Sequence, residues 1–158
     1  SVTSNNTTNE TVYPVFVDGN SGTQGAEVDT ALTYNPSSNT LTTGTIDLGN
    51  ANISSGTYGP FTASAGTTVT ADSTAIGSAN VIEYTIYISN STNIQSQKVL
   101  IMDNGTTAYI QEFSVMSNPN LIATFSADVN GGNVRLLATP ETGISGSTTI
   151  KFTKMIIE

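Results

Sequence analysis

The sequence contains no cysteine, histidine or tryptophan, and only four of its 158 residues are lysine or arginine. Without Cys and His there are no disulfides, no thiolate nucleophile, no imidazole acid or base, and no zinc site of the Cys/His type. These absences rule out much chemistry, and the residues alone show no chemical activity. Twelve acidic residues bring the net charge to −8. Because phosphate binding needs clustered bases, we expect neither nucleic acid nor an anionic membrane surface as a partner.

Short polar residues are abundant instead, with 27 Thr, 18 Ser and 16 Asn. Low hydrophobicity raises the alternative of disorder, but the chain is weakly charged and has Val/Ile/Tyr/Phe segments that need burial. No apolar run approaches the ~20 residues of a membrane span. Strong helix formers are scarce, whereas Thr, Val and Ile favour strands. The composition therefore predicts a folded, all-β chain.

Alternating apolar and polar residues predict the strands. The period of two is clear in Val81–Ser89 and Leu121–Val129. The last segment, 150–157, is apolar on both faces toward its end, which predicts contact with a second sheet or subunit. Asn104-Gly105 is typical of a tight hairpin turn. The spacing of these segments over residues 61–158 indicates an antiparallel sandwich or barrel, of which we predict a jelly-roll-like β-sandwich.

The first part of the chain predicts a different organisation. Pro14 interrupts a short apolar strand, which indicates an edge strand or an arm. Residues 1–43 are too few and too polar for a core of their own, so we predict an extended arm with a β-hairpin. Residues 44–60 are interpreted as a polar connector.

One turn-rich segment has the spacing of a calcium loop. Asp18 and Asn20 open an Asp-x-Asn-x-Gly pattern, and Asp29 falls at the twelfth position. Asp128 begins a second, less complete pattern. Asp, Asn and Gly also favour ordinary β-turns, which is the preferred interpretation. We therefore expect no cofactor, and the alternative is a Ca²⁺ ion held by Asp18, Asn20 and Asp29.

An exposed aromatic residue is the candidate for ligand binding. In the strand Val81–Ser89, Tyr87 shares the polar face with Glu83 and Thr85. A tyrosine among hydrogen-bonding groups can stack on a sugar ring. The preferred interpretation, however, is a half-buried ring that packs under a loop or at a subunit contact, since the chain has no Trp, the usual stacking residue.

Pairs of acidic residues are the candidates for hydrolytic groups. Glycoside hydrolysis needs two carboxylates at a set separation, and only Glu27 and Asp29 lie close in sequence. Glu112 stands among apolar residues, but an exposed strand position or an ion pair is the preferred interpretation.

Two segments near the start resemble a module of tailed-bacteriophage structural proteins, particularly of phages that infect marine cyanobacteria. These are Asn-Glu-Thr-Val-Tyr-Pro-Val-Phe-Val-Asp-Gly at 9–19 and Leu-Thr-Tyr-Asn-Pro-Ser-Ser-Asn-Thr-Leu-Thr at 32–42. Ser38-Asn39 replaces the usual Thr-Gly of the module and keeps the turn character. Parts of the second half, including Phe125–Pro140, are similar to terminal domains of such virion proteins.

The resemblance implies a non-enzymatic virion component on the particle surface, in a tail fibre, another appendage or the capsid surface. It implies a homotrimer that contacts other virion proteins and takes part in host attachment, with a host surface glycan as a further partner. Such a trimer would bury a set of apolar residues between chains: Val15, Phe16, Tyr34, Met155 and Ile157. The alternative function is a carbohydrate-binding β-sandwich of a cell-surface or secreted protein. A glycan depolymerase is a third hypothesis.

Overall fold

The structure is a computed structural model, and it describes residues 4–77 and 81–157. Two compact units divide between Ile46 and Asp47. Across the described residues there are thirteen strands and no helix, and every pairing is antiparallel. Accordingly, no helix in this part of the chain is long and apolar enough to cross a membrane. The all-β prediction is confirmed.

The first unit consists of two small hairpins. Strands β1 (Val15–Phe16) and β2 (Glu27–Val28) pair with each other, as do β3 (Thr33–Asn35) and β4 (Thr40–Thr42). In the second hairpin the Asn35 side chain accepts the backbone N–H groups of the following turn. The hairpin predicted from the Asn-Pro-Ser-Ser-Asn sequence is therefore confirmed.

The second unit contains two sheets. The six-stranded sheet has the order β10-β9-β8-β13-β6-β5, and the three-stranded sheet has the order β11-β12-β7 among the described residues. Their strands are β5 (Thr45–Asp47), which crosses the boundary between the units in sequence, β6 (Ala51–Ser64), β7 (Val69–Ala75), β8 (Val81–Ser89), β9 (Ile94–Asp103), β10 (Ala108–Asn118), β11 (Ala123–Asn130), β12 (Asn133–Pro140) and β13 (Ser145–Ile157).

One hydrophobic core combines the inner faces of both sheets. Its residues alternate with outward-facing ones along β8, β12 and β13, as in Ile82, Ile86 and Ile88 of β8 and Leu136 of β12. The period of two that predicted these strands therefore also predicted their buried faces. The fold is an antiparallel β-sandwich, with six and three strands in place of the eight that a jelly roll has.

The prediction that residues 44–60 form a polar connector is wrong. Most of it belongs to β5 and β6, and β6 pairs with β13 from Ala51 to Ser64. The Ser, Thr and Gly residues that resemble a linker are tolerated because β13 supplies the apolar partner. Gly56 leaves room for the ring of Phe152, which a Cβ atom would approach to 2.3 Å. The boundaries predicted after residues 43 and 60 are replaced by a single one after Ile46.

Side chains satisfy the outer backbone edge of β11. The Gln95 Oε1 atom accepts the N–H groups of Ile122 and Ala123 at 2.7 and 2.9 Å, and its Nε2 atom donates to the Ala123 carbonyl at 2.7 Å. Glu112 accepts the Phe125 N–H at 3.2 Å and the side-chain amide of Gln97. The interpretation of Glu112 as exposed or ion-paired is wrong, because this half-buried carboxylate binds amides.

The Gly56–Phe152 contact gives a stability prediction. Gly56→Ala should destabilise the protein by about 1–3 kcal/mol, because the buried ring of Phe152 must move to admit the methyl group. Urea unfolding followed by tyrosine fluorescence measures the change. Gly44→Ala is the matched control, since no atom lies within 4 Å of its Cβ position, and it should leave the midpoint unchanged. Equal midpoints for both variants would contradict the proposed packing.

Candidate functional site

The outward face of the six-stranded sheet carries an uninterrupted line of apolar residues. Directly paired residues share a face, and the pairing runs across five strands through Tyr109, Met102, Val81, Ile157 and Ala51. We call these five residues the apolar row. Tyr109 and Met102 are each 51% exposed and Ile157 is 44% exposed. A solvated face of an antiparallel sheet normally alternates polar side chains outward, so this row is unusual.

The adjacent line of residues extends the apolar surface. Leu100 and Ile53 are exposed, and Met155 is half-buried between them. Glu83 stands in the same line and forms an ion pair with Lys98 at 2.6 Å. The only charge in this line is therefore paired with a neighbouring base.

Farther along the same face, Tyr87 stands between two hollows. This residue is 43% exposed, and its direct partners across the sheet are Lys151 and Ser96. On one side is a groove of about 370 Å³ with Lys151 and several Ser and Thr residues in its lining. On the other side Ile94 and Met116 bound a smaller, apolar hollow of about 240 Å³. We call the first of these the Tyr87 groove.

The structure brings together two of the three predicted ligand-binding residues. Tyr87 and Thr85 both line the Tyr87 groove, whereas Glu83 lies outside it and binds Lys98. Sequence reasoning missed Lys151, because its proximity to Tyr87 comes from the pairing of β8 with β13, which are far apart in the chain. The alternation of β13 directs Lys151 to the outward face, but only the pairing of the strands shows that Tyr87 and Thr57 lie beside it.

Lys151 differs from the other bases in its environment. In residues 4–77 and 81–157, ion pairs engage Lys98, Arg135 and Lys154 but not Lys151. Arg135 binds Asp128 with two hydrogen bonds, of which the one from Nε is 2.7 Å long. That hydrogen bonding lowers the pKa of Asp128 and raises the pKa of Arg135. Asp128 is therefore paired with a base across the β11–β12 turn.

A buried charge cluster joins the two sheets. The Nζ atom of Lys154 donates to Asp72 at 2.7 Å and to Thr74 at 3.0 Å, and the Tyr84 hydroxyl donates to Asp72 at 2.8 Å. Lys154 and Tyr84 come from the six-stranded sheet, and Asp72 comes from the three-stranded sheet. Burial, followed by the charge of Asp72 and the hydrogen bond to it, raises the pKa of Tyr84 well above its usual range.

The predicted calcium ligands lie in the first unit and are exposed. Asp18 and Asn20 belong to the loop after β1, and Asp29 follows β2. The pairing of Phe16 with Glu27 places Asp18 and Asp29 beyond opposite ends of the short ladder. Asp29 accepts the Ala31 N–H at 2.8 Å, which is a turn contact. No group of three acidic residues in the described residues could hold a metal ion, and the calcium site stays a prediction.

The predicted interface residues occupy both units. Val15, at 66% exposed, and Phe16 lie on the surface, whereas Tyr34 is half-buried and donates its hydroxyl to Asn39 at 2.9 Å. Ile157 belongs to the apolar row, and Met155 lies in the line beside it. Their burial between subunits stays a prediction.

No known protein family matches this chain, and no curated protein matches it. Two solved tailspike structures match part of it. The tailspike of Acinetobacter baumannii phage AM24 aligns with a TM-score of 0.44 and 12% identity, over 68% of this chain and 25% of that protein. The tailspike of Acinetobacter phage vB_ApiP_P1 gives a TM-score of 0.44 and 17% identity, over 67% and 22%. The chain thus spans about a quarter or less of their length.

The raised pKa of Tyr84 gives a pH prediction. Because the folded state favours the neutral phenol, its contribution to stability is complete below the usual tyrosine pKa of 10.0 and is lost as the pH rises above it. The free energy of unfolding should fall by an extra ~1.4 kcal/mol per pH unit above about pH 10. Urea unfolding between pH 8 and 11 measures this slope.

Tyr84→Phe should remove the extra alkaline slope, at a cost of about 1 kcal/mol at pH 8 for the lost hydrogen bond to Asp72. Tyr109→Phe is the matched control, since Tyr109 is 51% exposed, and it should keep the slope. An unchanged slope in Tyr84→Phe would refute the assignment.

Proposed function

We propose that this chain is a non-enzymatic structural module of a phage virion, in a tail fibre or other surface appendage. In this proposal three copies assemble as a homotrimer, which also contacts other virion proteins and takes part in host attachment. The apolar row is the observation that carries the proposal, because it is an extended apolar surface whose residues Tyr109, Met102 and Ile157 stay close to half exposed in the part of the chain that the structure describes.

A covered apolar row is physically more stable than an exposed one. Burying apolar surface contributes about 25 cal/mol per Å², and monomeric proteins rarely leave contiguous apolar patches exposed. Met102, Tyr109 and Ile157 are each close to half exposed. A second copy of the chain is the occupant we propose, since the interior of a homo-oligomer is the more apolar class of interface.

The first unit also exposes apolar residues that a partner subunit would cover. Among its described residues only Pro36 is buried. Seven large apolar residues of this unit remain exposed: Tyr13, Val15, Phe16, Val17, Val28, Leu41 and Ile46. Each chain therefore offers two different apolar surfaces. A closed ring uses two different surfaces of each subunit, whereas a two-fold dimer uses one surface against itself, which favours a trimer over a dimer.

The virion setting rests on the sequence. The Tyr-Pro-Val-Phe strand and the Leu-Thr-Tyr-Asn-Pro-Ser hairpin resemble a module of phage structural proteins. A chain without cysteine cannot be strengthened by disulfides outside the cell. Core packing and subunit contacts are the means left to stabilise such a small domain with an arm.

The non-enzymatic part of the proposal rests on how the carboxylates are used. Eight of them accept hydrogen bonds that hold turns, sheets or ion pairs together. These belong to Glu10, Asp29, Asp47, Asp72, Glu83, Asp103, Glu112 and Asp128. Since the chain has no His or Cys, carboxylates are the residues that hydrolysis would need, and most have a structural partner.

Oligomeric mass tests the assembly. Native mass spectrometry and light scattering of the full chain should give three times its mass of 16.4 kDa. Ile157→Lys should dissociate the trimer, because it places a charge within the apolar row, between Val81 and Ala51. We expect at least a hundredfold weaker association.

Thr124→Lys is the control for that variant. Thr124 is exposed on β11, in the three-stranded sheet, so the same substitution there should leave the mass unchanged. A wild-type chain that stays monomeric when dilute, or Ile157→Lys that stays trimeric, would refute the proposed assembly.

Absence of turnover tests the non-enzymatic assignment. Incubated with neutral and acidic bacterial polysaccharides, the wild-type chain should release no new reducing ends above a heat-denatured sample. Release that disappears in Glu112→Gln, or in the double variant Glu27→Gln with Asp29→Asn, would show a glycan-cleaving enzyme. A signal that survives all these substitutions would indicate a contaminating activity and leave the assignment intact.

A further inference from the structure

We propose that the Tyr87 groove binds a sugar ring that carries a carboxylate. This inference names the ligand class for host attachment and rests on the proposed function for that setting. Three features of the groove support it: an exposed aromatic ring, a hydroxyl-rich lining and an unpaired base.

Tyr87 provides a platform for stacking. It is 43% exposed, and the groove beside it is lined by short side chains, including Thr85, Ser96 and Thr57. Short neighbours leave one side of the ring open to a ligand. The apolar C–H face of a sugar can pack on such a ring, and the phenol hydroxyl can also hydrogen bond.

Hydroxyl groups line the rest of the groove. Five come from four different strands: Ser55 and Thr57 of β6, Thr85 of β8, Ser96 of β9 and Thr153 of β13. A hydroxyl both donates and accepts hydrogen bonds, as the hydroxyls of a sugar do. These side chains stand on paired strands, so their positions are fixed by the sheet rather than by a mobile loop.

Lys151 supplies the charge that selects an acidic sugar. It is exposed, and the residues paired with it across the sheet are Tyr87 and Thr57. Its neighbours along the same face of β13 are Thr149 and Thr153. None of these four is acidic, so a ligand carboxylate would meet the ammonium group without competition from them. A charge-assisted hydrogen bond of this kind is stronger than one to a neutral sugar.

The apolar hollow on the other side of Tyr87 suits a substituent of the sugar. Ile94 and Met116 bound its volume of about 240 Å³, which is enough for a methyl or acetamido group.

A nucleic acid would also offer stacking and negative charge. Its dense phosphates would meet a chain of net charge −8 with one unpaired base among the described residues, so the sparser charge of an acidic glycan fits better.

The test is a binding titration of the full chain by calorimetry. The probes are an oligomer of galacturonic acid and an α2,8-linked oligomer of sialic acid, because uronic and nonulosonic sugars share the ring and the carboxylate. Each is compared with its carboxyl-reduced form. We expect at least one acidic oligomer to bind. Its carboxyl-reduced form should have an affinity that is lower by ~10-fold or more. Preference for the sialic acid oligomer would indicate that the apolar hollow takes the acetamido group.

Three variants locate the site. Lys151→Gln and Tyr87→Ala should each weaken binding ~10-fold or more, and Lys151→Gln should bind the acidic and reduced forms equally. Phe113→Ala is the matched control, since Phe113 is an exposed aromatic on the same face but outside the groove, and it should change affinity less than twofold.

Three results would overturn the inference. These are no binding of either acidic oligomer, equal binding of the acidic and reduced forms by the wild-type chain, and Tyr87→Ala that converts a trimer to a monomer. The last would make the groove a subunit interface. The mass of each sample separates this proposal from the assembly: a monomer that binds refutes only the trimer, and a trimer that does not bind refutes only the sugar site.

Discussion

Strand β13 is the constraint on which both sheet faces depend. It pairs with β6 on one side and with β8 on the other over most of its length. A strand enclosed in this way cannot shift by one residue without exchanging its two faces. Its inner face contributes Ile150, Phe152 and Lys154 to the sandwich, so the register is fixed by burial. The outward positions of Lys151 and Ile157 follow from that register.

Polar side chains connect the two sheets. Lys154 and Asp72 connect opposite sheets through a mostly buried ion pair, to which Tyr84 adds a hydrogen bond. A buried pair of charges contributes little net stability, but either charge alone would be costly. Gln95 and Glu112 connect the sheets in a second way, because they accept hydrogen bonds from backbone N–H groups at the edge of β11. An edge occupied in this way has fewer free groups with which another strand could pair.

Local patterns predicted the elements of the fold but not their neighbours. The alternation in Val81–Ser89 correctly identified a strand and its buried face, because that face is determined by the period of two. The same pattern did not predict the strands within residues 44–60. The Ser, Thr and Gly residues of β6 show no alternation, because their packing depends on β13. The predicted environment of Glu112 was wrong for a related reason. Its partners, Gln97 and Phe125, come from other strands, and sequence spacing carries no information about them.

The candidate site shows the same limit. Tyr87 and Thr85 were found together because they are two residues apart on one strand, but Lys151 joined them only through the sheet. The sequence also indicated that the segment ending at Ile157 is apolar on both faces, yet the other members of the apolar row come from β6, β8, β9 and β10. A surface built from five strands is a property of the register, and no single segment displays it.

The outward sheet face is divided along the strands, and this division allows two roles on one surface. Lys151 and Ile157 are six residues apart on β13, which corresponds to about 20 Å at ~3.3 Å per residue. The residues at the Ile157 end are apolar, and those around Lys151 are mainly hydroxyl-bearing. Burial against another subunit favours the first end, because it removes apolar surface from water. The second end gains little from such burial, because hydroxyls and an ammonium group would lose their hydration. A subunit contact that covers the apolar row therefore gains little free energy by extending over the Tyr87 groove. Such a contact would leave the groove open to solvent.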